Sequence, residues 1–95
     1  MRQGRHALGM KILVVEDDPD VARLIASHLQ KAGCQVRVAH TAEAALAGLA
    51  DDLPDLITLD LSLPEMQGDE LARRLHDDPL TSDIPILVVS AFADD

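Results

Sequence analysis

KILVVEDDP, residues 11–19, is the stretch on which the reading of the whole chain turns. Its apolar part, Ile12-Leu13-Val14-Val15, is a continuous run of the kind that forms a strand buried on both faces. Glu16, Asp17 and Asp18 follow at once, so such a strand would end in clustered negative charge. Two unit charges about 5 Å apart repel by roughly 3 kcal/mol at an effective dielectric near 20. Acids held at a buried strand end therefore either splay into solvent or share a cation. Asp18-Pro19 also has the form of a helix start, with Asp as N-cap and Pro at the first helical position.

Working outward, apolar residues recur at helical spacing through Val21, Leu24, Ile25, His28, Leu29 and Ala32, and Gly33 ends that helix. Gln35 to Ala39 alternates through Val36 and Val38 as a second short strand. Thr41 caps a second helix whose inward face is Ala42, Ala45, Leu46 and Leu49. DDLPD breaks it, and Leu56 to Leu61 reads as a third strand. After SLPEMQG a third helix carries Leu71, Ala72 and Leu75. DDPLTSDIP reads as loop, and Ile86 to Val89 as a fourth strand. Strands and helices that alternate in this way predict a parallel sheet with helices on both faces, an α/β fold.

In an open parallel sheet, ligands sit beyond the carboxyl ends of the strands. Three such ends carry polar residues here: Glu16-Asp17 after the first strand, Asp60 after the third and Ser90 after the fourth. A divalent cation is the economical reason to gather them. Oxygen ligands of this kind suit Mg²⁺, which keeps several waters and takes one or two carboxylates.

Composition narrows the alternatives. The chain has 95 residues, enough for one small domain, and a core that must be aliphatic, with one Phe and no Trp or Tyr. The net charge of −9 argues against direct nucleic-acid binding, which needs clustered Lys and Arg. Removing the first nine residues takes away Arg2 and Arg5 and deepens the acidic excess. A single cysteine, Cys34, excludes an internal disulfide framework and fits a reducing cytoplasm. No apolar run approaches the ~20 residues of a membrane span. MRQGRHALG, residues 1–9, lacks the apolar centre of a signal peptide and reads as an N-terminal extension without structure, before a domain over residues 10–95.

KILVVEDDP, LITLDLSLPEMQG (residues 56–68) and IPILVVSA (residues 84–91) together resemble the strand-one, strand-three and strand-four signatures of bacterial response-regulator receiver domains. The spacing from Asp17 to Asp60 and on to Ser90 resembles the family's as well, as do Pro64 and Gly68 behind Asp60. The resemblance runs from Met10 to the last residue. It implies a CheY-like, flavodoxin-like doubly wound parallel sheet of strand order 2-1-3-4. It implies a signalling receiver that catalyses its own phosphorylation rather than an enzyme. Asp60 would be the phosphoacceptor, taking its phosphoryl group from a sensor histidine kinase or a phosphotransfer protein. Glu16, Asp17, Asp60 and the backbone carbonyl of Ser62 would hold Mg²⁺. Ser90 would hydrogen-bond a phosphoryl oxygen, and Ala91 would leave room for the donor.

The same family continues through a fourth helix, a fifth strand with an aromatic switch residue, a Lys-Pro turn and a fifth helix, none of which the 95 residues include. The two lysines, Lys11 and Lys31, do not match the family's phosphate-binding lysine, and Phe92 is not given the switch role. Two rival readings follow. One is a pseudo-receiver or interaction fragment that does not turn over phosphate. The other is an Mg²⁺-dependent phosphohydrolase with an aspartyl nucleophile, which needs a second Asp where this chain has Ser62. The apolar fourth strand, without its family neighbour, is expected to invite self-association. The blander expectations are that Asp18 is only a cap and Thr58 a structural hydroxyl. His28 is read as a partly buried helix-face residue, Cys34 as a small hydrophobe, and Asp51-Asp52 and Asp77-Asp78 as solubilising loop acids. His6, His40 and His76 make no ligand set, which disfavours zinc.

Overall fold

Ile12, Leu13, Val14 and Val15 are each at most 3% exposed, so the first strand is covered on both pleat faces as its unbroken apolar run requires. The computed structural model describes residues 9–60 and 68–89. Within them lie β1 (Lys11–Val15), α1 (Pro19–Lys31), β2 (Gln35–Ala39), α2 (Ala42–Leu49), β3 (Leu56–Asp60), α3 (Gly68–Asp77) and β4 (Ile86–Val89). The four strands form one parallel sheet of order β2-β1-β3-β4, the predicted doubly wound arrangement. Leu13, Val15, Ile57 and Leu59 join Ala42, Ala45 and Leu49 of α2 and Leu71 and Leu75 of α3 in one core. The alternate β1 residues, Ile12 and Val14, point to the opposite pleat face, the side on which α1 packs over β1 and β2.

Local chemistry sets both ends of α1 and the start of α2. Asp18 caps α1, its Oδ1 accepting from the Asp20 and Val21 amides at 2.9 and 3.3 Å. At the other end Gly33 takes φ +98°, the left-handed region open to glycine. The Gly33 amide donates to Gln30 and the Cys34 amide to Leu29, the paired bonds of a Schellman stop. Cys34 thus has a backbone duty beyond that of a small hydrophobe. Thr41 Oγ1 caps α2 by accepting from the Ala44 amide at 3.0 Å. The C-terminal end of α2 has no basic residue of its own. Arg37 reaches across from β2 instead, donating to the carbonyls of Gly48 and Asp52 at 3.3 Å each.

Several expectations need correction. Leu24 is 59% exposed and His28 is exposed, whereas Ala22, absent from the expected inward face, is buried. At about 100° per residue Leu24 lies some 160° around the helix from Ala22. The small Ala22 allows α1 to sit close to the sheet, and that leaves Leu24 on the outer side. Two of the loop acids are structural rather than merely solubilising. Asp52 forms an ion pair with Lys11 at 2.9 Å, and that hydrogen bond holds its carboxyl below the usual range. Asp78 Oδ1 accepts from the Leu80 amide at 2.9 Å, and the Asp78 carbonyl accepts from Thr81 and Ser82, which turns the chain from α3 toward β4. The third strand ends at Asp60; Leu61, placed in it by sequence, lies outside the described residues.

β4 is the outer strand of the sheet among the described residues, and its Leu87 and Val88, on opposite faces, are 55% and 49% exposed. No described helix is long and apolar enough to cross a membrane.

Candidate functional site

Parallel register puts the acids together. Val15 is opposite Leu59, so the residues that follow them, Glu16 and Asp60, emerge side by side at the carboxyl edge of the sheet. Asp17 comes one residue later, where the chain turns toward the Asp18 cap. Glu16, Asp17 and Asp60 each present one carboxylate oxygen, and these atoms lie within 4.8 Å of one another. Glu16 is 3% and Asp60 1% exposed, whereas Asp17 is exposed. Two buried carboxylates and one exposed one therefore stand together at this edge.

The electrostatics bear the marks of this crowding. Burial pushes the Glu16 carboxyl up to about 7 from its ordinary 4.5. The Asp18 amide, which donates to Glu16 Oε2 at 3.2 Å, works the other way, while neighbouring Asp60 and Asp17 raise it further. Two of the described cationic side chains pair away from the cluster. Lys11 stands at the opposite end of β1 with Asp52, and Arg23 lies 3.5 Å from Asp20. Three hard oxygen donors of one sign, held together at this cost, fit a divalent cation such as Mg²⁺.

Of the residues singled out from sequence, the structure gathers Glu16, Asp17 and Asp60. Ser62, Ser90 and Ala91 lie outside the described residues, as does Phe92. Thr58, two residues before Asp60 on the same pleat face, is buried, and its hydroxyl has no hydrogen-bond partner among the described residues. His40 was missed by sequence reasoning. Its Nδ1 lies 3.0 Å from the carbonyl oxygen of Glu16. The available signal was positional: His40 directly follows β2, whose carboxyl end lies at the same edge as the acids.

Comparison with known proteins gives a consistent result. The family model described as response regulator receiver domain matches residues 12–95. The chain is 44% identical over 84 residues to the phosphate regulon transcriptional regulatory protein PhoB of Pseudomonas aeruginosa, covering 88% of this chain and 37% of that protein. It spans well under two thirds of that relative's length. Among solved structures, a sensor protein from Polaromonas sp. JS666 superposes with a TM-score of 0.85 at 42% identity, covering 90% of this chain and 68% of that one. The response regulator protein TrrA from Thermotoga maritima, in complex with Mg(2+)-BeF, superposes with a TM-score of 0.82 at 29% identity, covering 90% and 72%.

Proposed function

The chain belongs to the response regulator receiver domain family, and from that premise we propose that it accepts a phosphoryl group on Asp60 from a phosphohistidine, with Mg²⁺ held at the acidic cluster. The observation that carries this reading is the gathering of Glu16, Asp17 and Asp60 at the carboxyl edge of β1 and β3. Phosphoryl transfer asks a protein mainly for positioning and for compensation of charge. Asp60, buried at the end of β3, supplies the nucleophile: a carboxylate oxygen bonds to phosphorus as the P–N bond to the donor imidazole breaks. The bonding pair stays on the imidazole nitrogen, which takes a proton. Mg²⁺, when bound there, would supply positive charge to offset that of the acids and of the incoming phosphoryl group. Glu16 and Asp17 would hold that ion, Glu16 from a buried position and Asp17 from the rim. By resemblance, the Ser62 carbonyl completes the ligand set, Ser90 hydrogen-bonds the phosphoryl group and Ala91 leaves room for the donor. A sensor histidine kinase or phosphotransfer protein is the partner.

The complex of TrrA with Mg(2+)-BeF suggests a direct test: Mg²⁺ with beryllofluoride, an aspartyl-phosphate mimic. Binding to the wild-type chain and its loss in Asp60→Asn is the expected result. Acetyl phosphate should likewise label the wild type and not Asp60→Asn. A label that persists and maps to another residue overturns the assignment of Asp60.

One observation favours a second reading, an interaction module without phosphate turnover. Lys11 is tied to Asp52 at the far end of β1, and Lys31 lies in the last turn of α1, so neither reaches the acid edge. A donor aimed at developing charge is worth roughly 10²–10³ in rate. The proposed receiver should therefore label slowly; failure to bind beryllofluoride at all would select the interaction module.

A further inference from the structure

The contact between His40 and Glu16 lies at the acidic cluster without supplying a ligand to it. Glu16 is held at three points. Its amide donates to the Ala39 carbonyl at 2.9 Å, continuing the β1–β2 ladder by one rung. Its side chain accepts from the Asp18 amide at 3.2 Å. Its carbonyl faces His40 Nδ1 at 3.0 Å. Beyond Ala39 the second strand ends and the chain enters the Thr41 cap of α2, so a side chain takes over where the ladder stops. A carbonyl oxygen can only accept, so Nδ1 carries the proton in this bond.

The Glu16 carbonyl belongs to the planar peptide that links Glu16 to Asp17. Fixing that carbonyl fixes the plane of the peptide, and with it the direction in which Asp17 leaves the strand end. Asp17 is the exposed member of a cluster whose three carboxylates repel one another. Without a constraint on its peptide it would relieve the repulsion by turning toward solvent. We infer that His40 is a positioning residue for the cation site: its Nδ1–H···O=C bond to Glu16 keeps the Glu16 and Asp17 carboxylates beside Asp60. The inference rests on the proposed Mg²⁺ reading and deepens it. Groups one bond removed from a metal ligand typically change metal affinity by about 10- to 100-fold, and His40, exposed and bound to backbone, belongs at the lower end.

The test is Mg²⁺ titration calorimetry on the full 95-residue chain at one pH, with His40→Ala and His40→Asn beside the wild type. The Asn amide nitrogen occupies nearly the place of Nδ1. His40→Ala should weaken Mg²⁺ binding about tenfold, and His40→Asn should restore most of it. Amide exchange on the metal-free protein supplies a second readout, since the Asp18 amide bonded to Glu16 should exchange faster in His40→Ala. Wild-type affinity in His40→Ala overturns the inference, as does an Asn variant no tighter than Ala. If His40→Ala does not fold, His40→Asn against His40→Gln decides. Gln sets its amide one carbon too far, so equal affinities would overturn the inference. A wild-type chain that binds no Mg²⁺ removes the metal reading itself, and His40's role with it.

Discussion

Glu16 and Asp60 close neighbouring parallel strands and present buried carboxylate oxygens within 4.8 Å of each other, with Asp17 completing the group. In the absence of a cation it has a cost: burial first, and then the neighbouring Asp60 and Asp17, push the Glu16 carboxyl up to about 7. It also has a sign. The folded chain holds the Glu16 proton more tightly than the unfolded chain, so the group favours folding at low pH. That contribution is complete below about 4.5 and is lost as pH rises through about 7. The shift corresponds to an order of 3 kcal/mol. Urea denaturation in EDTA between pH 5 and pH 8 should show stability falling across this window. Glu16→Gln should flatten the fall and leave the variant the more stable protein at pH 8. Asp52, whose carboxyl is lowered by Lys11, acts below this window and with the opposite sign. A wild-type profile that rises from pH 5 to pH 8 would contradict the buried-pair account.

Mg²⁺ should reverse that pH dependence. Binding requires Glu16 deprotonated, so below about pH 7 the affinity should fall, approaching tenfold per unit if one proton is displaced. Asp17→Ala should bind Mg²⁺ more weakly than the wild type at pH 8, having lost an oxygen ligand but no buried structure. Calorimetry in two buffers of different ionisation enthalpy counts the protons released. Unchanged affinity in both Asp17→Ala and Glu16→Ala would show that the three acids do not share a cation.

Much of this site was legible because it depends on order along the chain. A strand that runs apolar from Ile12 to Val15 must end at Glu16, and a third strand that runs from Leu56 must end near Asp60. Parallel pairing then brings the two ends to one edge, so two short stretches of sequence determine the acid pair. Helix caps were legible for the same reason, since Asp18 and Thr41 act within three residues of themselves. What escaped depends on packing angle and on reach. The apolar stripe of α1 includes Leu24, but the rotation that seats Ala22 on the sheet is decided by how closely helix and sheet approach. Arg37 bonds to Gly48 and Asp52, and His40 to Glu16, across distances in sequence that no local pattern encodes.

Gly48 gives a test of that hidden reach. A Cβ at this position would meet Arg37 Cζ at 3.2 Å, tighter than ordinary contact. In an isolated helix Gly→Ala gains about 1 kcal/mol. Here the gain should be offset wherever the Arg37 guanidinium has to shift from the Gly48 and Asp52 carbonyls. Gly48→Ala should therefore stabilise the chain clearly in an Arg37→Ala background and less in the wild type. Equal effects in the two backgrounds, measured as a double-mutant cycle by urea denaturation, would mean the guanidinium gives way at no cost.

The outer strand sets the last expectation. β4 pairs with β3 along one side, and among the described residues no strand lies on its other side. Its sequence, ILVV, is apolar and mostly β-branched, with Leu87 55% and Val88 49% exposed on opposite faces. Such an edge is a template for pairing with a second chain. The opposing influence is charge: two copies at −9 each repel, and that repulsion is screened over about 10 Å at 0.1 M salt and about 3 Å at 1 M. Self-association of the 95-residue chain should therefore strengthen as salt is raised, opposite to an assembly held by ion pairs. Leu87→Lys or Val88→Lys should suppress it by placing a charge on the exposed strand without touching the buried core of Leu13, Ile57 and Leu59. Sedimentation velocity at micromolar concentration, at low and high salt, measures both effects. A chain that stays monomeric across the salt range while the β4 amides remain protected from exchange would refute pairing through this edge.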